Sequence, residues 1–162
     1  MSSPHNEIAL RSLKEIIANG YHVDGSLVFA DLSGSNLRCA EFLGGDLRKA
    51  SLHFANLEGA DLLGVDFTSA VFWKTILINA RLDQAILEDA IMIYCDLKGA
   101  KVTRAQLSTA GSLRGTRLPD GKLYDGTFEL KGDIQQAQTD GINIEDPNAI
   151  AQWYKITYDE FH

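Results

Sequence analysis

Five aspartates, Asp31, Asp46, Asp61, Asp66 and Asp96, recur at separations that are all multiples of five residues. Carboxylates held at fixed spacing on a rigid frame could act as a general acid and a general base, the chemistry of a hydrolase. The same spacing has a plainer reading. A short polar side chain beside a tight corner bonds a nearby backbone group and stabilises the turn. Nearly every unit of this stretch demands such a residue, so these aspartates read as scaffold. No Ser-His-Asp order, glycine-rich phosphate loop or acidic pair with a perturbing partner accompanies them. His5, His22, His53 and His162 are isolated from one another, and two cysteines give no zinc spacing. The reading therefore contains no catalytic residue, no metal site and no cofactor, and the chain is expected not to be an enzyme.

The frame itself is a pattern of five: a small residue, a polar residue, Leu or Phe, then two variable residues. Ala30-Asp31-Leu32, Ser35-Asn36-Leu37, Ala40-Glu41-Phe42 and Gly45-Asp46-Leu47 begin it. Ala60-Asp61-Leu62, Val65-Asp66-Phe67 and Cys95-Asp96-Leu97 continue it, and Ala105-Gln106-Leu107 ends it. From residue 26 to 110 this makes roughly 17 units. On an α-helix a step of five advances about 140° and scatters the leucines round the axis. On a flat strand an odd step sends alternate leucines to opposite faces. Within one unit the small residue and the Leu are two apart, so a short straight piece points both inward and the polar residue outward. The two remaining residues must then turn a corner. Repetition gives a coil closed round its own core, with successive coils about 4.8 Å apart.

These triplets resemble the pentapeptide-repeat family, whose motif is Ala-(Asp/Asn)-Leu followed by two loosely specified residues. The resemblance implies an all-β solenoid, a right-handed quadrilateral β-helix with twenty residues per coil. Handedness and four sides come from the family and not from the periodicity. On that register Leu27, Leu47, Phe67, Leu87 and Leu107 stack along one inner side, and Leu32, Leu52, Phe72 and Met92 along the next. Phe67 and Phe72 share a coil, with Ala70 leaving room between them.

The informative places are where the outer face breaks the pattern. The usually polar position is Val71, Ile76, Ile86 and Ile91, and nearby corners carry Trp73, Ile78, Ile93 and Tyr94. Residues twenty apart are neighbours, so Val71 lies over Ile91, Trp73 over Ile93 and Lys74 over Tyr94, with His53 and Phe54 one coil earlier. Phe54, Val71, Trp73, Ile76, Ile78, Ile91, Ile93 and Tyr94 are thus expected to form an outward apolar patch. Soluble monomers seldom leave such a patch bare, and Trp and Tyr are common binding anchors. Either a protein partner covers it or the chain's own tail does. The tail has the apolar weight for this in Leu123, Tyr124, Phe128, Ile150, Trp153, Tyr154, Ile156, Tyr158 and Phe161. A homodimer through the final coil's edge is a separate option.

Three segments result. Residues 1–25 read as a short amphipathic capping helix on Leu10, Leu13, Ile16 and Ile17, with a lead-in. Residues 26–110 are the repeat, about four coils, and 111–162 form a terminal cap with two short helices. In the cap, Asp133 with Gln136 reads as the opening of one helix and Asp146-Pro147 as the opening of the other. Leu118-Pro119-Asp120-Gly121 and the Trp153-Tyr154 pair resemble C-terminal segments of cyanobacterial pentapeptide-repeat proteins. Cys95 is inward and Cys39 lies on an outward corner nearly three coils away, so a disulfide between them is excluded.

The formal net charge of −7 bears on one activity known in that family. Some members imitate duplex DNA in shape and negative charge and modulate DNA gyrase, a type II topoisomerase. The distribution argues against this here. Residues 26–110 hold ten acids and eight bases, a difference of −2. An acidic chain without a basic stripe is not expected to bind nucleic acid directly. No run is long enough to span a bilayer and the sequence shows no charged-then-apolar leader pattern, so the expectation is a cytoplasmic protein with no membrane contact. The leading expectation is a non-enzymatic interaction module or scaffold for an unidentified protein partner, with the DNA mimic as the alternative. An enzyme would need a site at the junction with the cap.

Overall fold

The computed structural model describes Glu15 and residues 18–155. Leu10, Leu13, Ile16 and Ile17, on which the capping helix rests, lie outside the described residues, as do Ile156, Tyr158 and Phe161. A single 3₁₀ turn, Tyr21–Val23, leads in, and the His22 carbonyl accepts a hydrogen bond from the Asp46 N–H at 2.7 Å.

From there the five-residue pattern becomes a coil. Parallel bridges pair Asp31 with Ser51, Asn36 with Asn56, Glu41 with Asp61 and Asp46 with Asp66, so each coil takes twenty residues and has four sides. At two places the bridge widens to a three-residue strand, β1 (Val71–Trp73) and β2 (Ile91–Ile93), paired in parallel through Val71–Ile91, Phe72–Met92 and Trp73–Ile93. The polar position of these units is β-branched, which suits an extended backbone.

Each corner has the same construction. The small residue's N–H returns to the carbonyl of the preceding Leu, as from Ala50 to Leu47 (3.1 Å) and from Ala60 to Leu57 (3.0 Å). The residue before it takes the left-handed conformation, for instance Lys49 (φ 60°) and Phe54 (φ 57°). The polar side chain locks the turn from outside. Asp66 accepts from the Thr68 N–H at 2.9 Å, Asn56 from Glu58 at 3.0 Å and Asp96 from Lys98 at 3.0 Å. Inside, the Leu, Phe and Ala columns fill the core completely; Phe67, Phe72 and Ala70 are fully buried, with the two rings edge to face at 5.0 Å.

The last unit departs from the strand. Thr103 caps a single helical turn, α1 (Arg104–Leu107), through a reciprocal capping box with Gln106. Leu107 still points inward, but the backbone no longer lies along the coil below. The Gln106 side-chain amide takes over, donating to the carbonyls of Leu82 and Ala85 at 2.8 Å each. Replacing Gln106 with Ala strips both carbonyls of this donor, and should cost about 1–3 kcal/mol in urea denaturation. Gln106→Glu, which cannot donate there, should fare no better.

Pairing runs on past Ala110, with one residue added: Ile91 pairs with Ser112 and Asp96 with Arg117, a spacing of 21. Arg117 then pairs antiparallel with Leu123, turning the chain back across the coil's edge. Two helices follow, α2 (Lys131–Thr139) and α3 (Pro147–Tyr154). The helix α2 begins at Lys131 after an N-cap at Leu130, three residues before Asp133, and Asp133 is no cap. Its buried carboxylate accepts from the Ser112 hydroxyl and from the Leu113 N–H at 3.3 Å, tying α2 to the final coil. Burial pushes the Asp133 carboxyl up, and those two donors work against the rise. At the start of α2 the Gly132 N–H donates to the Gly111 carbonyl at 2.9 Å, taking up a coil edge. Asp146 caps α3 by accepting from the Asn148 N–H at 2.9 Å. Arg114 stacks over Trp153 at 4.2 Å while the Trp153 indole N–H donates to Asp140 at 2.9 Å.

Candidate functional site

In the middle coils two outward groups are aromatic: Phe54, at a left-handed corner, and Trp73, at the end of β1 just before the left-handed Lys74. Phe54 is 54% exposed and Trp73 40%, with ring centroids 5.3 Å apart in an edge-on arrangement. His53 meets Trp73 edge-on at 6.2 Å, and the Lys74 ammonium lies 5.8 Å from the Trp73 ring. Val71, Ile91 and Ile93 are half-buried around this pair, on the strands β1 and β2. Ile76 and Ile78 are half-buried on the adjoining side, where Ile76 is bridged by Asn56 and Asp96.

Tyr94 does not belong to this open surface. It is 7% exposed, because Gly115 in the next coil brings its backbone onto the tyrosine ring, where any Cβ would collide. The described tail lies elsewhere. Tyr124, Trp153 and Tyr154 are buried against the final coil; Tyr124 stacks on Phe128 at 5.5 Å and Tyr154 meets Tyr124 edge-on at 5.4 Å. Among the described residues, the tail thus packs on the final coil and not on Phe54 and Trp73.

The aspartates that suggested acid-base chemistry are occupied in corners. Hydrogen bonds from Ser33 and from Arg48 hold the Asp31 and Asp46 carboxyls below the usual carboxylate range. A carboxylate that stays ionised is no general acid at neutral pH. Cys95 is buried, its thiol donating to the Phe72 carbonyl at 2.7 Å, and burial pushes its pKa up to about 12. A thiol that keeps its proton at neutral pH is a poor nucleophile. Among the described residues no group of three His, Cys, Asp or Glu side chains could hold a metal ion. No helix among them is long and apolar enough to cross a membrane.

The outer face carries ion pairs that tie one coil to the next: Arg38 with Glu58, Arg81 with Asp61 at 3.1 Å and Arg117 with Asp96 at 3.0 Å. At these places acid and base face each other across neighbouring coils.

Residues 26–64, 46–84 and 66–104 match the family model for pentapeptide repeats, in 8 copies. The chain belongs to the pentapeptide-repeat family. Family and register together make the solenoid a right-handed β-helix, a repeat scaffold of a kind that is generally structural or interacting and not catalytic. No curated protein matches the chain. Among solved structures it is similar to a pentapeptide-repeat protein from the thylakoid lumen of Arabidopsis thaliana. That likeness has a TM-score of 0.54 and 23% identity, over 69% of this chain and 74% of that one. It is also similar to HetL, a pentapeptide-repeat protein involved in heterocyst differentiation regulation in the cyanobacterium Nostoc. There the TM-score is 0.32 at 23% identity, over 60% of this chain and 61% of that one.

Two residues escaped the sequence reading of this repeat's outer face, Arg117 and Leu123. The added residue before Ser112 shifts the pitch from 20 to 21, so counting in twenties from Asp96 lands on Thr116, which faces inward.

Proposed function

We propose that the chain is a non-enzymatic scaffold for protein-protein contact, with the exposed Phe54–Trp73 pair as the docking point. The observation that supports this reading most is the pair itself. Two large aromatic side chains stand exposed and in mutual contact on a fully packed, repeat-built frame. Such a frame orders its side chains before any encounter, so little conformational entropy is lost on docking. Val71, Ile91 and Ile93 supply an apolar surround, and Ile76 and Ile78 extend it round the corner. The described tail packs on the final coil instead of on this face, in keeping with a partner protein as the occupant. Acids paired with bases across coils do not favour imitation of the uniformly negative surface of DNA.

The test uses the wild-type chain and a Phe54→Asp, Trp73→Asp double variant as parallel baits in native lysate. Circular dichroism first establishes that both are folded, and light scattering measures the mass of each. A protein held by the wild type, lost by the variant and reconstituted as a complex from purified components is the expected result. A wild-type dimer that the variant breaks would make a second copy the occupant. Equal capture by both baits, or no capture, would sink the reading.

A further inference from the structure

Round the corner from Trp73 the solenoid has a second feature, a cleft of about 370 Å³. Its floor is the far part of one outer column, where Ile76, Asp96 and Arg117 follow one another coil by coil after Asn36 and Asn56, which lie outside the cleft. The antiparallel return from Arg117 to Leu123 raises one wall, with Gly121 and Leu123 lining it. The opposite wall is the corner column of Lys74 and Tyr94, held in place by Gly115. The volume lies at the lower end of what small-molecule sites enclose.

The lining has a definite chemistry. Ile76, Ile78 and Leu123 are apolar, and Tyr94 offers an aromatic edge. Lys74 and Arg117 bring two positive charges against the single negative charge of Asp96. The excess is local, in a chain whose net charge is −7. Arg117 gives one N–H to Asp96 at 3.0 Å, and a guanidinium has five such donors in a fork suited to a carboxylate. Cys95 lies beneath the cleft with its thiol directed to the Phe72 carbonyl, so the site has no nucleophile to offer.

We infer that this cleft binds a small amphipathic carboxylate, its anionic head on Arg117 and Lys74 and its apolar body over Ile76, Ile78 and Leu123. The inference stands apart from the Phe54–Trp73 contact and survives if that reading fails. It differs from a general preference for anions, because Ile76, Ile78 and Leu123 favour a carboxylate that carries a hydrophobic body over a bare one. Asp96 competes with the ligand for Arg117 and sets an upper limit on affinity. Its turn-forming role does not need the charge: the same column holds asparagine at 36 and 56, and Asn56 makes the same bond to the backbone two residues on.

The test follows backbone amide shifts of the whole chain by NMR during titration with phenylbutyrate, with acetate and phenylbutylamine as comparisons. Phenylbutyrate should saturate in the range of about 0.1–5 mM, shifting Tyr94, Leu123 and Gly121, while acetate and the amine should not. Arg117→Gln should weaken binding about tenfold, since a charge-assisted fork is lost. Asp96→Asn should tighten it about threefold, the opposite sign from a variant that merely loosens the surface. Each variant is titrated only after its amide spectrum shows the wild-type fold. Equal binding of the amine, no saturation by phenylbutyrate, or weakening by Asp96→Asn would overturn the inference.

Discussion

Phe72→Ala should lower the stability of the chain by about 3–5 kcal/mol, enough to consume a large share of a typical total of about 5–15 kcal/mol. Phe72 is fully buried in β1, its ring edge-on to Phe67 at 5.0 Å and its backbone paired with Met92 in the coil beyond. The solenoid core is one column of side chains wide on each side, so a missing ring leaves a void bounded by backbone corners that are tied above and below. Such walls cannot collapse inward, which places the cost at the upper end for aromatic truncation. Urea denaturation followed by far-ultraviolet circular dichroism measures it. Trp73→Ala, the next residue on the same strand, serves as the contrast: its ring stands outside, and its loss should cost only about 1 kcal/mol. Comparable costs for the two would mean that the inward and outward alternation of β1 is misassigned.

The second large effect is expected at Gly132, where α2 meets the final coil. A Cβ there would press on the Gly111 carbonyl oxygen and stand 3.1 Å from its carbon, both backbone atoms, while the Gly132 N–H bonds that same oxygen at 2.9 Å. No flexible side chain is available to yield. Gly132→Ala must lift α2 from the edge, at about 1–3 kcal/mol for the overpacking. The hydrogen bond lost with it adds about 1 kcal/mol more. The damage should be regional. Repeat stability is approximately a sum over neighbours, so the coils from 31 to 96 keep their partners while the tail loosens. Near-ultraviolet circular dichroism of the buried Trp153 and Tyr154 should melt earlier than the far-ultraviolet signal of the coils. A single coincident transition at the wild-type temperature would show that α2 does not depend on that contact.

Much of the solenoid was legible because one physical constraint repeats in every unit. A small residue and a Leu two apart must face in, and the corner must be bonded by a short polar side chain; the contacts of Asp66, Asn56 and Asp96 are that constraint made visible. The pairing of Val71 with Ile91 and of Trp73 with Ile93 follows from the same count of twenty. Three things were hidden, each for a local reason. Ala105-Gln106-Leu107 has the letters of a repeat unit, yet Thr103 three residues before Gln106 completes a capping box, and the segment forms α1. Tyr94 has the position of a surface anchor, but whether it is covered depends on the residue one coil later, and glycine at 115 allows close approach of the backbone. Asp133 has the spacing of a helix cap, but a buried hydroxyl and an N–H of the final coil compete for its carboxylate and win. The Phe54–Trp73 pair was legible as an outward cluster, whereas the cleft beside Arg117 depends on the added residue before Ser112 and on the return through Leu123.

The twenty-residue pitch also sets a rule for how such a chain can change over generations. Duplicating one full turn, for instance residues 50–69, would add a coil whose backbone groups find partners on both sides. Everything after it would move along the axis by about 4.8 Å without otherwise changing direction. Duplicating a single five-residue unit would instead swing the whole tail about a quarter turn around the axis, since the coil has four sides. Inserted between them, such a unit would change the angle at which the Phe54–Trp73 face and the Arg117 cleft look away from one another. The single residue added before Ser112 shows a third case, in which an extra residue is absorbed without losing the pairing of Asp96 with Arg117. Whole turns change reach, single units change aim, and lone residues reshape a corner, so length and orientation in this architecture can be inherited independently.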